Sequence, residues 1–230
     1  TGAMCNLYSL TKSTTAIANL FRVPHNRAQQ VDPLPAIFPG WSAPVVRRAA
    51  DGEREMLAMS WGFVLLQDGK APRRVTNTRD DKMQSRFWRN SFEQRRCLVP
   101  ATSFCEPHDG RKPATWHWFA LKGDEPRPPF AFAGIWQRWK GPIKKGGDNV
   151  EVDVYSFMTT EPNSATSSIN HERSPVLLTT DEQRDAWLLG TPAEAAALVR
   201  PIAGDSLAIV QEGFEKKDWL GAQVPTGPLL

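Results

Sequence analysis

From Cys97 to Thr159 the sequence passes through one strand candidate after another, with no helix-length segment between them. Cys97–Pro100, Thr102–Cys105, Thr115–Leu121, Phe130–Trp139 and Val150–Thr159 are apolar or alternating stretches bounded by Pro, Gly or polar residues. The last two read as a hairpin joined by the Gly/Lys-rich segment 140–149. No alternation of strand and helix supplies the crossovers that a parallel sheet requires. With helices confined to the flanks, the pattern predicts an α+β fold: a single compact domain with a barrel-like, mostly antiparallel sheet.

The flanks supply the helices. Ser13–Phe21 carries Ile17, Leu20 and Phe21 at helical spacing, and Lys82–Gln94 places Met83, Phe87 and Phe92 in the same way. Thr180-Asp181-Glu182-Gln183 is a capping box opening a helix to about Leu189. Thr191-Pro192-Ala193-Glu194 opens another, running to Val199. Prolines 33, 35, 39 and 44 predict an extended, ordered loop across 31–47. Glu55–Leu66 is strand-like around Trp61-Gly62, and Val176–Leu178 and Leu207–Val210 are short strand candidates. Residues 1–3 precede a Met and read as a tag remnant, 4–220 as the domain, and the Pro/Gly-rich 221–230 as a loose tail.

Composition narrows the chemistry. Of 230 residues, 40% are hydrophobic, which suits an ordinary packed core. Cys5, Cys97 and Cys105 have no disulfide or zinc-knuckle spacing, and the four histidines (25, 108, 117 and 171) are scattered. No metal site or cofactor is expected. No membrane span or signal peptide is visible, so a cytoplasmic protein with free thiols is expected. The net charge of +3 is small, yet from Arg73 to Arg96 seven Arg and one Lys face three carboxylates, a local +5. Such a cluster attracts phosphates, although a solvated helix face has the same composition.

Four stretches carry candidate chemistry. Removal of Met4 would leave Cys5 with a free α-amine beside its thiol. With a reference pKa of about 8, much of that amine is neutral and nucleophilic near pH 7. A 1,2-aminothiol condenses with an aldehyde to a Schiff base and then closes a five-membered thiazolidine; simple thiol nucleophilic catalysis is the alternative. Asn77, in Thr76-Asn77-Thr78-Arg79, offers an amide to orient a substrate, and Arg79 a phosphate contact. Glu106 ends the apolar run 97–105, where a carboxylate facing a cleft can act as acid or base. His171 sits in a polar turn ahead of an apolar strand, a better catalytic position than that of His117 between Trp116 and Trp118. Trp61 and Trp88 are candidates for stacking on bases.

Taken in order, Met4-Cys5, Pro39-Gly40, Trp61-Gly62, Asn77-Thr78-Arg79, Cys97-Leu98-Val99-Pro100-Ala101, Phe104-Cys105-Glu106 and His171-Glu172-Arg173-Ser174-Pro175 resemble the SOS response-associated peptidases, or abasic-site processing proteins, over nearly the whole chain. The resemblance implies a twisted, barrel-like antiparallel sheet. It implies recognition of abasic sites in single-stranded DNA and a thiazolidine DNA–protein crosslink through the terminal Cys. Carried over, Cys5 is the nucleophile, Asn77 positions the sugar, Glu106 is the general acid/base and His171 shuttles protons. Arg79, Arg86 and Arg173 match phosphate-holding positions, with Trp61 a further DNA contact. The same Cys is implied in removal of its own Met. The protein is expected to be a monomer, without cofactor, associated with the nucleoid when DNA is damaged. The sequence departs from the family pattern at Asn6-Leu7, where Gly-Arg is common, at Pro107 after the Glu, and at Val64-Leu65-Leu66-Gln67, where tryptophans are common. Two other readings are a thiol peptidase and a single-strand-binding module without chemistry.

Overall fold

The computed structural model describes residues 5–29, 32–108 and 112–218. Residues 1–3 and the tail 221–230 lie outside this set, as does Met4. Five strands, Ser42–Arg48, Arg54–Trp61, Arg96–Ala101, Phe130–Pro142 and Asn149–Thr160, form a closed ring. Four seams are antiparallel, and the long hairpin 130–160 supplies the largest, from Gly134↔Phe157 to Pro142↔Asn149. The fifth is parallel and brief, pairing Val154 with Ser60 and Tyr155 with Trp61. Closure leaves the ring without a free edge. The expected barrel-like, mostly antiparallel α+β domain is what the chain forms.

A second sheet leans on the barrel. Its order is Leu207–Gly213, Trp116–Leu121, Ser103–Pro107, Tyr8–Leu10 and Leu34–Ile37. The chain crosses from barrel to second sheet at Thr102, between Arg96–Ala101 and Ser103–Pro107. Tyr8 joins the two layers. Its ring packs edge-on to Trp61 and Phe132, at 5.0 and 5.5 Å between centroids, and its hydroxyl lies 2.5 Å from that of Tyr155. The N-terminal strand is thereby anchored in the aromatic core, which fixes where Cys5 emerges. Trp187, from the helix Asp181–Leu189, closes one flank by donating to the carbonyls of Cys97 and Gly134, both at 3.0 Å.

Several elements differ from the sequence expectations. The Pro-rich stretch 31–47 is not simply a loop, for it contains the strands Leu34–Ile37 and Ser42–Arg48. Pro35 sits in an edge strand, and Pro44 precedes the Val46–Arg47 portion that pairs on both sides, so neither missing N–H breaks a ladder. The helix expected over 82–94 is a 3₁₀ turn, Asp80–Lys82, a bend and a short helix, Arg89–Gln94. Phe87 and Trp88 there pack on each other and on Phe63. Glu55–Leu66 is two strands broken at Gly62, whose φ of +108° suits glycine and whose added Cβ would meet Arg74 at 3.0 Å. The Thr191 helix stops at Ala197. Both capping boxes, Thr180–Gln183 and Thr191–Glu194, form reciprocally.

Candidate active site

Cys5 reaches its position through strand pairing. Tyr8 lies opposite Phe104 and Ser9 opposite Ser103, and the Cys105 amide donates to the Leu7 carbonyl at 2.9 Å. Running the register back brings Cys5 alongside the strand end that carries Glu106. Cys5 is 1% exposed, with Sγ 3.8 Å from the Leu7 carbonyl oxygen. Burial raises the thiol pKa well above its usual value, and the charge and hydrogen bond of Glu106 raise it further. The resting sulfur is therefore a thiol and not a thiolate. The carboxylate that neighbours it is that of Glu106.

His171 is a second neighbour of Glu106. Its Nε2 lies 3.2 Å from Oε2 of Glu106. The local chain explains its placement. Asn163 caps the short helix Ser164–Ser167 in a reciprocal capping box. Asn170 then takes a left-handed φ of 56°, which Asn tolerates better than most residues, and the chain turns so that the His171 amide donates to the Thr166 carbonyl.

Asn77 opens the strand Asn77–Arg79, parallel to the barrel hairpin with Phe157 opposite Asn77. It is 2% exposed, and neither its amide nitrogen nor its amide oxygen has a hydrogen-bond partner among the described residues. A buried amide left unsatisfied costs about 1–3 kcal/mol. Thr76, its neighbour, donates to the side-chain oxygen of Asn6 at 2.7 Å, which ties the Asn77 strand to the residue after Cys5.

The structure thus places Cys5 and His171 each beside Glu106 and links the Asn77 strand to the Cys5 segment through Thr76 and Asn6. A scan against protein families matches residues 4–212 to SOS response associated peptidase (SRAP). The chain belongs to the SRAP family. Among solved structures, this SRAP chain is similar to a protein from Bordetella bronchiseptica, at 20% identity, TM-score 0.69, covering 91% of this chain and 98% of that one. A protein from Bacteroides thetaiotaomicron matches at 21% identity and TM-score 0.69, with 97% of both chains covered. A phage-related protein from Bordetella bronchiseptica matches at 19% identity and TM-score 0.63, covering 89% and 92%. At these identities the likeness is one of fold. Among the described residues of the SRAP chain no helix is long and apolar enough to cross a membrane.

The basic cluster of this SRAP member divides on inspection. Arg74, Arg95 and Arg96 are partly buried and donate to main-chain carbonyls, among them Gly62, Trp136 and Trp187. They brace the barrel and leave Arg73, Arg79, Lys82, Arg86 and Arg89 as the exposed cations of the segment. Arg79 makes a fork with Asp81, at 2.9 and 3.1 Å. Arg173 donates to Asp80 and to the Thr159 carbonyl, both at 2.6 Å, so Arg79 and Arg173 converge on one acidic pair. Arg86 stands on a separate shallow depression with Arg89 and Asn90.

Trp61 is a correction. It is fully enclosed, stacked on Phe157 at 5.4 Å, with its indole N–H donated to the Thr76 carbonyl at 3.1 Å. It has no face to offer a base; it holds the Thr76 carbonyl, one residue before Asn77. Trp88 is likewise buried. His117 lies on the expected strand, directly across from Glu106, with Nε2 3.1 Å from Glu212. Its alternation with Trp116 and Trp118 placed it on a strand, but only strand register could show which strand lay alongside.

Proposed function

We propose that this SRAP-family chain recognises abasic sites in single-stranded DNA and forms a thiazolidine crosslink through Cys5, once Met4 is removed and the Cys5 amine is free. Glu106 takes the C1′ hydroxyl proton of the deoxyribose, and the ring oxygen departs with a proton, opening the sugar to an aldehyde. The Cys5 amine adds to C1′, and the resulting hydroxyl leaves as water with a proton returned by Glu106. The Cys5 sulfur then adds to the Schiff-base carbon. The thiol proton passes by way of Glu106 to the nitrogen, and the ring closes. His171 holds and exchanges the Glu106 proton, and the Asn77 amide positions the sugar. Arg79, Arg86 and Arg173 hold phosphates, the first and last by exchanging Asp81 and Asp80 for DNA. The protein acts as a monomer.

That Cys5 and His171 both neighbour the buried Glu106 is the observation that carries this reading. The deciding experiment mixes a chain beginning at Cys5 with a single-stranded abasic oligonucleotide and takes the intact mass under denaturing conditions. The expected adduct weighs the sum of the two less one water, and Cys5→Ala does not form it. Salt-sensitive binding with no adduct favours a binding module instead. The word peptidase in the family description supports a second reading, in which the Cys5 thiol cleaves the Met4–Cys5 bond. Loss of Met4 from a chain begun there, dependent on Glu106, tests it.

A further inference from the structure

The strand that leads to Cys5 is only three residues long, Tyr8–Leu10, and lies between Ser103–Pro107 and Leu34–Ile37. Asp218 touches both of those flanking strands. Its carboxylate accepts from the Ser103 hydroxyl at 2.6 Å, and its amide donates to the Pro35 carbonyl at 2.9 Å. The same carboxylate is held by a two-point fork from Arg127, at 2.7 and 2.9 Å. Asp218 is completely buried and the Arg127 side chain is 9% exposed. A carboxylate can only accept, so Ser103 must donate to it. That leaves the Ser103 oxygen to accept from Ser9, 2.6 Å away on the N-terminal strand. Ser9 and Thr11 also reach Thr102 at 3.0 and 3.1 Å. The segment before Asp218 is fastened as well, for Trp118 donates to the Glu215 carbonyl and Gln211 to that of Lys217.

Asp218 lies beyond residues 4–212, the span shared with the SRAP family. We infer that Asp218 is a positioning residue, which staples the two neighbours of the N-terminal strand together and so holds Cys5 against Glu106. The role of the held site rests on the function proposed above; the staple itself does not. Three residues of strand pairing are few to fix a nucleophile, and misplacement by about 1 Å can cost a hundredfold in rate. A buried, fully paired carboxylate bridging both sides supplies the missing constraint.

The test compares the full chain with Asp218→Asn and Ser103→Ala, reading alkylation of individual cysteines by iodoacetamide in the native state. Cys97 is the internal control, since it lies buried in the barrel, away from the staple. The expected result is Cys5 labelling faster by about tenfold or more in both variants, with Cys97 changed less than about twofold, as for a local opening. Hydrogen exchange at the Tyr8–Leu10 amides is expected to speed up in parallel. With chains beginning at Cys5, the variants are expected to form the abasic adduct about tenfold more slowly at unchanged affinity for intact single strands. Equal acceleration at Cys5 and Cys97, or none at Cys5, overturns the inference. Ser103→Ala keeps the Arg127–Asp218 pair and decides the matter where Asp218→Asn does not fold. If the parent chain makes no adduct, the proposed function fails, while labelling and exchange still judge the staple.

Discussion

Nε2 of His171 lies 3.2 Å from Oε2 of Glu106, with the two side chains 0% and 1% exposed. Buried this close, each can stabilise a charge on the other, which neither could carry alone at low cost. The third neighbour, the Cys5 thiol, has its own proton held on by burial and by that carboxylate.

Glu106→Gln is expected to slow adduct formation by roughly a hundredfold or more, the usual range for losing a general acid/base. Binding to intact single strands should not change. The same variant removes a negative charge beside Cys5, so the thiol pKa should fall; iodoacetamide rates against pH will show the profile moving to lower pH. A profile that stays in place means the carboxylate does not face the sulfur.

Asn77→Ala separates function from stability. The amide has no protein partner among the described residues, so its removal lifts a burial cost instead of breaking a bond. Adduct formation should fall while the urea midpoint holds or rises, by up to about 1 kcal/mol. A loss above about 2 kcal/mol shows that the amide is bonded in the folded protein.

Alkali should unfold this protein earlier than its size suggests. The thiols of Cys5, Cys97 and Cys105 and the phenols of Tyr8 and Tyr155 are all raised, chiefly by burial, from 9.0 and 10.0. Above those ordinary values the unfolded chain loses protons that the folded chain keeps. Stability is therefore intact below about pH 9 and falls above it, by about 1.4 kcal/mol per pH unit for each group that titrates only when unfolded. Urea titrations at pH 7, 9 and 10 check the sign, and Cys97→Ala should flatten the slope.

Arg79→Gln should weaken single-strand binding uniformly across sequences and lower the salt slope by about 0.7, the value for one phosphate on a single strand. Arg173→Gln should also lower the melting temperature, because that side chain ties Asp80 to the Thr159 carbonyl. Equal salt slopes for Arg79→Gln and the parent remove Arg79 from the interface.

Local signals in the sequence were read well and distant ones poorly. Ser13, Thr180 and Thr191 announce helix starts because capping is settled within four residues. The hairpin 130–160 is visible because its strands are adjacent in the chain. The strands at 34–37 and 42–48 were hidden by prolines whose tolerance depends on which strand edge they occupy. Residues 82–94 have helical spacing, but Phe87 and Trp88 are drawn into contact with Phe63, and only the last turn and a half stays helical. Cys5, Asn77, Glu106 and His171 could be named from motifs. That Trp61 is buried and bonded to the Thr76 carbonyl, and that His117 is paired opposite Glu106, depends on packing and register between segments distant in the chain.

The order of the site residues along the chain sets a timetable. Cys5 precedes Glu106 by about a hundred residues, and His171 comes later still. The parallel seam that seals the barrel waits for Tyr155 to reach Trp61, and the staple waits for Asp218. Contacts this distant form late in folding. On the ribosome, the segment carrying Cys5 therefore has neither Glu106 nor His171 beside it at first, and any reaction that needs all three waits until the chain has been made at least as far as His171.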